Sequence, residues 1–307
     1  MDFVIHWLAA VPSYTAPLLI ACLGLIINER AGVLNLGAEG MMACGALAGA
    51  AISLSTGIPL VGLFAAIFAG TLVATLFALM TIVLRANQVI SGLIIVALGA
   101  GITGILGRDV VNRTVPGFYN LDWGMLSDIS IIGPVIFNQN LLTYLAFVLA
   151  VVIWYVLFRT TNGLKLRAVG EDPATADACG VSVIALRIYS VMMGGALCGA
   201  AGGYLALASS YIWVEGMIGG RGWIAIGLVI FARWNPKLAV IGALLFGAIE
   251  AVIPRIQATG ADVPIYLMMM LPYLATLGVL ILTSLTRSRR ADEPANLGIP
   301  YTRQDRH

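Results

Sequence analysis

The run Asn28-Glu29-Arg30-Ala31-Gly32-Val33-Leu34-Asn35-Leu36-Gly37-Ala38-Glu39-Gly40 separates two strongly apolar segments, at 9–28 and 40–57. Each is long enough, or nearly so, to cross a bilayer as a helix, which takes ~20 residues. A charge at the bilayer centre costs ~2.5–3.5 kcal/mol even on the lenient insertion scale. Glu29, Arg30 and Glu39 therefore belong at the interface, in pairs with one another, or against a wet cavity. Glycines at 32, 37 and 40 argue for a broken helix, and non-helical backbone at that depth is tolerated only where protein satisfies its N–H and C=O groups. The run is then a structural turn or a substrate contact, and the residues alone leave both readings open.

The rest of the chain has the same character. Of its 307 residues 60% are hydrophobic and 10% charged, where soluble domains carry ~25% charged residues. Mean hydropathy is +0.96. This composition excludes an ordinary soluble enzyme, a disordered tail and a nucleic-acid binder. Further apolar segments at 60–84, 88–107, 141–158, 184–212, 216–233, 238–253 and 264–285 bring the expected spans to about nine, within eight to ten. The expected fold is all-α, a polytopic protein of the lipid bilayer with no sizeable domain outside it. The first run follows an N-terminus without Lys or Arg and lacks a convincing cleavage site, so it reads as a retained span. With the C-terminus inside, thirteen of the 17 Lys and Arg residues fall on the cytoplasmic side and only Arg108, Arg113, Arg221 and Arg255 outside. The positive-inside rule then gives an N-out, C-in topology.

Sliding the chain against itself by 176 positions sets Glu39-Gly40-Met41 on Glu215-Gly216-Met217 and Cys22 on Cys198. The spans at 9–107 follow those at 184–285, and the span at 141–158 between them reverses direction. Two four-span units entering from opposite faces form an inverted-topology repeat, the architecture of alternating-access transporters with a pathway at the repeat interface. The competing explanation is that Gly/Ala-rich apolar chains resemble one another under any slide. Gly195, Gly199 and Gly203 form one small-residue stripe and Gly45 with Gly49 another. Such stripes allow close helix approach where lipid offers no hydrophobic drive, and packing within the chain is preferred here over a dedicated dimer face.

Two polar segments remain. In the loop 159–183, Asp172-Pro173 reads as an N-cap followed by proline at the first helical position, and Gly180 as the residue that ends a short helix over 173–179. Two turns are marginal alone in water, so the helix needs something to dock against. Glu171, Asp172 and Asp177 disfavour an anionic lipid surface and suit a protein groove. The segment 108–140, with Arg108, Asp109, Arg113, Pro116, Asp122, Asp128 and Pro134, reads as an ordered external cap that either receives a partner or closes the bundle.

No GxxxxGK[ST] phosphate loop occurs, and Lys165 and Lys237 lack a glycine-rich cradle, so ATP is not bound in that manner. No span carries a central chain of ionisable groups; Glu250 alone, near the outer end of its span, reads as a helix-end anchor. The two histidines, His6 and His307, sit at the chain ends, and Cys22, Cys44, Cys179 and Cys198 show no CxxC spacing. Neither a metal site nor an intramembrane enzyme is supported. Either the chain is a passive channel or secondary transporter, or its energy comes from another subunit.

Glu29 to Gly37 followed by Glu39-Gly40-Met41-Met42, Val169-Gly170-Glu171-Asp172-Pro173 with Ala178-Cys179-Gly180-Val181, and Gly220-Arg221-Gly222-Trp223-Ile224-Ala225 running to Phe231-Ala232-Arg233-Trp234-Asn235-Pro236 resemble the permease subunits of ABC importers. The subgroup is that of branched-chain amino acids, simple sugars and nucleosides, and the likeness runs over at least 20–285. The Gly220–Pro236 stretch and the tail Ala295-Asn296-Leu297-Gly298-Ile299-Pro300-Tyr301 look most like the second permease of nucleoside-type importers. The resemblance implies a single permease domain in the cytoplasmic membrane of a bacterium. It also implies a second homologous permease, a cytoplasmic ATPase that binds the ATP and magnesium, and an external substrate-binding lipoprotein, with no cofactor on this chain. It makes Gly170, Glu171, Asp172, Pro173, Asp177 and Gly180 the coupling segment that meets the ATPase. Cys179 departs from the small or aromatic residue more usual there. Asn28, Asn35, Asn87 and Gln88 are the polar groups expected near the pathway, with Trp223 and Tyr273 available to stack on a planar base. For both aromatics the competing role is an interfacial anchor or core filler.

Overall fold

The computed structural model describes residues 2–127, 129, 132–258 and 293–302, together with 270, 271, 274, 275, 277, 278 and 281. Among the described residues the fold is all-helical, with two isolated β-bridges and no strand. Ten helices are traced: α1 (Asp2–Arg30), α2 (Ala38–Thr56), α3 (Pro59–Ala78), α4 (Gln88–Leu106), α5 (Leu141–Arg159), α6 (Thr161–Glu171), α7 (Pro173–Ala178), α8 (Val183–Tyr204), α9 (Arg221–Phe231) and α10 (Pro236–Ala258). A π-helical turn prolongs α3 to Val83 and another prolongs α8 to Ser209.

Seven of these helices are long and apolar enough to cross a membrane. They coincide with seven of the nine expected segments. The segment at 216–233 does not form a full span: it is a turn followed by α9, whose 11 residues reach only ~16 Å at ~1.5 Å per residue. That falls short of the ~30 Å hydrocarbon core. The cause is local, since Gly216, Gly219 and Gly220 all take positive φ and hold the backbone out of the helical region until Arg221. The segment 264–285 lies mostly outside the described residues.

Side-chain size sorts the helices. α1 is buried nearly all round, with Leu18, Leu19, Leu23, Leu25 and Ile26 closed to solvent, and packs against α8 and α10. α2, α3 and α8 approach through their small residues. A β-carbon on Gly45 would sit 2.6 Å from the Gly199 Cα, and one on Gly62 would sit 2.7 Å from the Gly49 carbonyl oxygen. The glycine stripes are thus spent on packing within the chain, where dispersion contacts rather than exclusion of water hold helices together. The outer faces of α3, α4 and α5 carry exposed Phe64, Phe68, Leu93, Ile94, Val148 and Val151, as a lipid-facing surface requires.

The two ends of α8 carry different structures. Beyond its C-terminus the 108–140 segment folds back as a cap: the Val115 amide donates to the Tyr211 carbonyl (2.8 Å), the Phe118 amide to the Leu207 carbonyl (2.8 Å), and Tyr119 stacks on Tyr211 with centroids 5.3 Å apart. At its N-terminus sit α6, α7, the 31–37 loop and the tail residues 293–302, joined by hydrogen bonds.

Candidate functional site

The polar run 28–40 closes around α9 and holds it at both ends. At the N-terminus of α9 the Glu39 carboxylate accepts from the Gly220 amide (2.8 Å) and the Gly222 amide (2.7 Å). At the other end the Arg30 guanidinium donates to the Trp234 carbonyl (3.1 Å), and the Trp234 indole N–H donates to Glu29 (2.6 Å). The anion at the amide end matches the helix dipole in sign, while Arg30 and Glu29 hold the turn that follows α9. Glu39 also satisfies orphan amides that a helix starting inside a bundle cannot give to water. Arg30 is further held by the Phe158 ring, 5.7 Å away. Arg221, at the first turn of α9, pairs with Glu250 of α10 at 3.0 Å. The carboxylate expected to anchor a helix end is therefore half of an ion pair, and it fixes α9 to α10.

Beside the Glu39 clamp lies a cavity of about 190 Å3, lined among others by Glu39 and Gly40 of α2, Thr103 of α4, and Trp213, Glu215 and Met217 of the turn before α9. Glu215 is exposed and Trp213 is buried. Glu39 and Gly40 of the first Glu-Gly-Met triplet and all three residues of the second, which coincide at an offset of 176, thus meet on one cavity. That offset was the signal available in the sequence, and composition alone did not point there.

At the α6–α7 end the side chains do what their spacing predicts. Asp172 accepts from the Ala174 amide (3.0 Å) and the Thr175 amide (3.1 Å), and the Thr175 hydroxyl donates to its second oxygen. That hydroxyl first, and the amides with it, hold the Asp172 carboxyl below the usual carboxylate range. The helix ends as a Schellman turn: Gly180 has φ +82°, its amide donates to the Asp177 carbonyl (2.9 Å), and the Val181 amide donates to the Ala176 carbonyl (3.0 Å). Pro173 and Ala176 are buried while Glu171, Asp172, Ala174, Thr175 and Ala178 face outward. The inner face rests on Val169 and Val183, with Tyr301 packed against them. Gly170 is buried and its carbonyl accepts from the Asn296 amide (2.9 Å). The preceding α6, capped by the Thr160 hydroxyl on the Gly163 amide (3.2 Å), was not expected from the sequence.

Of the polar residues expected near a pathway, Asn87, Gln88 and Asn35 fall near the start of α4, whereas the Asn28 side chain lies against Gly194 of α8. Asn87 caps α4 through the Ile90 amide (3.1 Å), Gln88 accepts from the Leu34 amide (2.7 Å), and Asn35 accepts from the Gly37 amide (2.9 Å). Asn28 is fully buried, and neither of its amide atoms finds a hydrogen-bond partner. Trp223 sits on α9, 38% exposed. Tyr273 lies outside the described residues.

Among the described residues, seven helices long and apolar enough to cross a membrane, with a half-length helix held between α1, α2 and α10, define a multi-pass membrane protein. The chain belongs to the family of branched-chain amino acid transport system permease components, which matches residues 8–280. It is 38% identical, over 99% of each chain, to the putative glucose ABC transporter permease protein TsgC13 of Haloferax volcanii. It is 34% identical to the guanosine ABC transporter permease protein NupQ of Bacillus subtilis over 95% of each chain. To the nucleoside ABC transporter permease protein NupC of Lactococcus lactis it is also 34% identical, over 88% of this chain and 89% of that one. No solved structure matches. The protein is an ABC transporter permease of the nucleoside, sugar and branched-chain amino acid group, and a multi-pass protein of the cytoplasmic membrane.

Proposed function

We propose that this chain is one permease of an ATP-driven importer that moves nucleosides inward by alternating access. A second homologous permease, a cytoplasmic ATPase holding ATP and magnesium, and an external binding lipoprotein complete the assembly. The observation that carries the reading is the α6–α7 projection. Its helix is capped at both ends and rooted by its apolar face, and it presents Glu171, Asp172 and Thr175 outward. The apolar face is satisfied within the chain by Val169, Val183 and Tyr301, so the face left for a partner is the polar one, and nothing in the chain supplies a phosphate loop of its own. The α7 end is then cytoplasmic and the 108–140 cap external, giving N-out, C-in with the 213–220 turn and α9 together making one interrupted crossing, from Trp213 bonded to the cap at Asn112 to Trp234 bonded to Arg30, in the second inverted unit of the sequence repeat. Gly170, Pro173, Asp177 and Gly180 shape the coupling segment, and Glu171 with Asp172 meets the ATPase.

The cavity between α2, α4 and the 213–218 turn is proposed as part of the pathway. Trp213 offers an aromatic wall, and Glu215 with Thr103 offers groups for hydroxyls. Asn28, Asn35, Asn87 and Gln88, expected near a pathway, are not among the cavity's lining residues. The names of two relatives favour nucleosides, whereas a relative at 38% identity is named for glucose and favours a sugar. The test is gentle purification of the tagged chain with mass spectrometry of what accompanies it. Radiolabelled guanosine and glucose uptake by the recovered complex in vesicles follows. Guanosine uptake driven by ATP supports the reading; glucose uptake alone replaces the substrate; transport without ATP or an ATPase replaces the class.

A further inference from the structure

The tail residues 293–302 do not simply trail from the last span. The Asn296 amide donates to the Gly170 carbonyl (2.9 Å), at the base of the α6–α7 projection, and the Gly298 amide to the Gly32 carbonyl (3.2 Å), in the run that clamps α9. The Ala295 amide reaches Glu171 (3.3 Å). Tyr301 packs on Val169, Ala176 and Val183 beneath α7. Arg187, at the start of α8, binds these parts together: its Nε donates to the Ala31 carbonyl (3.1 Å), its Nη1 to the Ile299 carbonyl (3.0 Å) and its Nη2 to the Asn296 side-chain oxygen (2.8 Å). Arg187 is buried, and a guanidinium's planar fork of donors suits such a three-way junction where an ammonium does not.

We propose that segment 293–302, locked by Arg187, is a coupling strap that ties the α6–α7 projection to the 28–40 clamp, so that movement of α7 is delivered to α9 and the adjoining cavity. The covalent route from α7 back to the clamp runs through α6, α5, the cap, α4, α3 and α2, and the route forward through α8 reaches only α9, which the clamp holds by hydrogen bonds. Across the strap the same two places are joined by a few hydrogen bonds. α7 contacts α6 and α8, and the residues of its rooting cluster are small apart from Leu186 and Tyr301. The end of α6 also meets the clamp directly, Gly170 lying against Arg30 and Gly32, and the strap adds hydrogen bonds across that same junction. Arg187 and Asn296 are thus positioning residues, acting through the clamp rather than on substrate. The inference rests on the importer reading above.

The test uses the full complex in vesicles, with ATP hydrolysis and uptake measured together so that solute moved per ATP is read directly. Arg187→Lys keeps the charge and loses the fork; Asn296→Leu keeps the size and loses the acceptor. Each is expected to lower solute moved per ATP at least fivefold while hydrolysis stays within about twofold of the parent, and the double variant should fall no further than the worse single. Asn296→Asp, which keeps the acceptor oxygen, should retain parental coupling. Because Asn296 is half-exposed at the surface, its variants report on the strap without a packing defect. Unchanged solute per ATP in Asn296→Leu, or equal loss in Asn296→Asp and Asn296→Leu, overturns the strap while a coupled parent leaves the importer reading standing. A parent complex that moves no solute with ATP overturns the importer reading, and the strap with it.

Discussion

Replacing Glu39 tests whether the half-length helix is held as described. Its carboxylate accepts two short bonds, from the Gly220 and Gly222 amides at 2.8 and 2.7 Å, and bonds to charged groups are worth ~1.5–3 kcal/mol each. Glu39→Gln leaves one acceptor oxygen and turns an amide N–H toward the other donor, so it loses about one bond, ~1.5–3 kcal/mol. Glu39→Ala loses both, ~3–6 kcal/mol, and the adjoining cavity lets water recover part of that, which places the expected value near the lower end. Glu39→Asp is one methylene shorter and should resemble Gln rather than the parent. Unfolding in mixed micelles, titrated with denaturing detergent and followed by circular dichroism, orders the four proteins as parent, then Gln and Asp, then Ala. An alanine variant within ~0.5 kcal/mol of the parent, the range of an ordinary surface change, would refute the claim that this carboxylate caps α9.

Three further expectations stand beside it, two from the geometry and one from the charge bias of the sequence. Gly45→Ala should destabilise by ~1–3 kcal/mol through overpacking, because its β-carbon meets backbone of Gly199; wild-type stability in the same micelle assay would mean that the helices separate without cost. Asp172, its carboxyl held low by the Thr175 hydroxyl, should titrate by carboxyl NMR with a midpoint below the usual ~3.9. A depressed value means that the cap's contribution is complete above the unfolded pKa and is lost only as pH falls through the folded one, so a midpoint at or above the usual value contradicts the cap. For sidedness, a cysteine at Asp305 should escape a membrane-impermeant thiol reagent in intact cells, and labelling there would invert the topology.

Legibility in the sequence followed the range of the interactions. α7 could be read because its signals are neighbours: Asp172 and Pro173 start it and Gly180 ends it within nine positions. The glycine stripes also pointed correctly to close packing, although which helices meet is a property of the assembled bundle. α9 was overread as a span because apolar content does not record where Gly216, Gly219 and Gly220 interrupt the backbone. α6 was missed because its residues are mixed in character, and its packing depends on Gly163 lying against α5. Asn87 sits where a cap for α4 was needed, so its local role was legible, whereas the pairing of Glu250 with Arg221 spans two helices and was not. The tail could be quoted as a motif, but its contacts with Gly32, Gly170 and Arg187 join residues more than a hundred positions apart.

The central claim is that α7 couples this permease to a partner's ATP hydrolysis. Its most direct test is solute uptake per ATP in vesicles by the complex carrying Glu171→Lys and Asp172→Lys. The account predicts a protein still folded in the membrane, with ATP hydrolysis no longer linked to uptake; full coupled transport by that variant would contradict it.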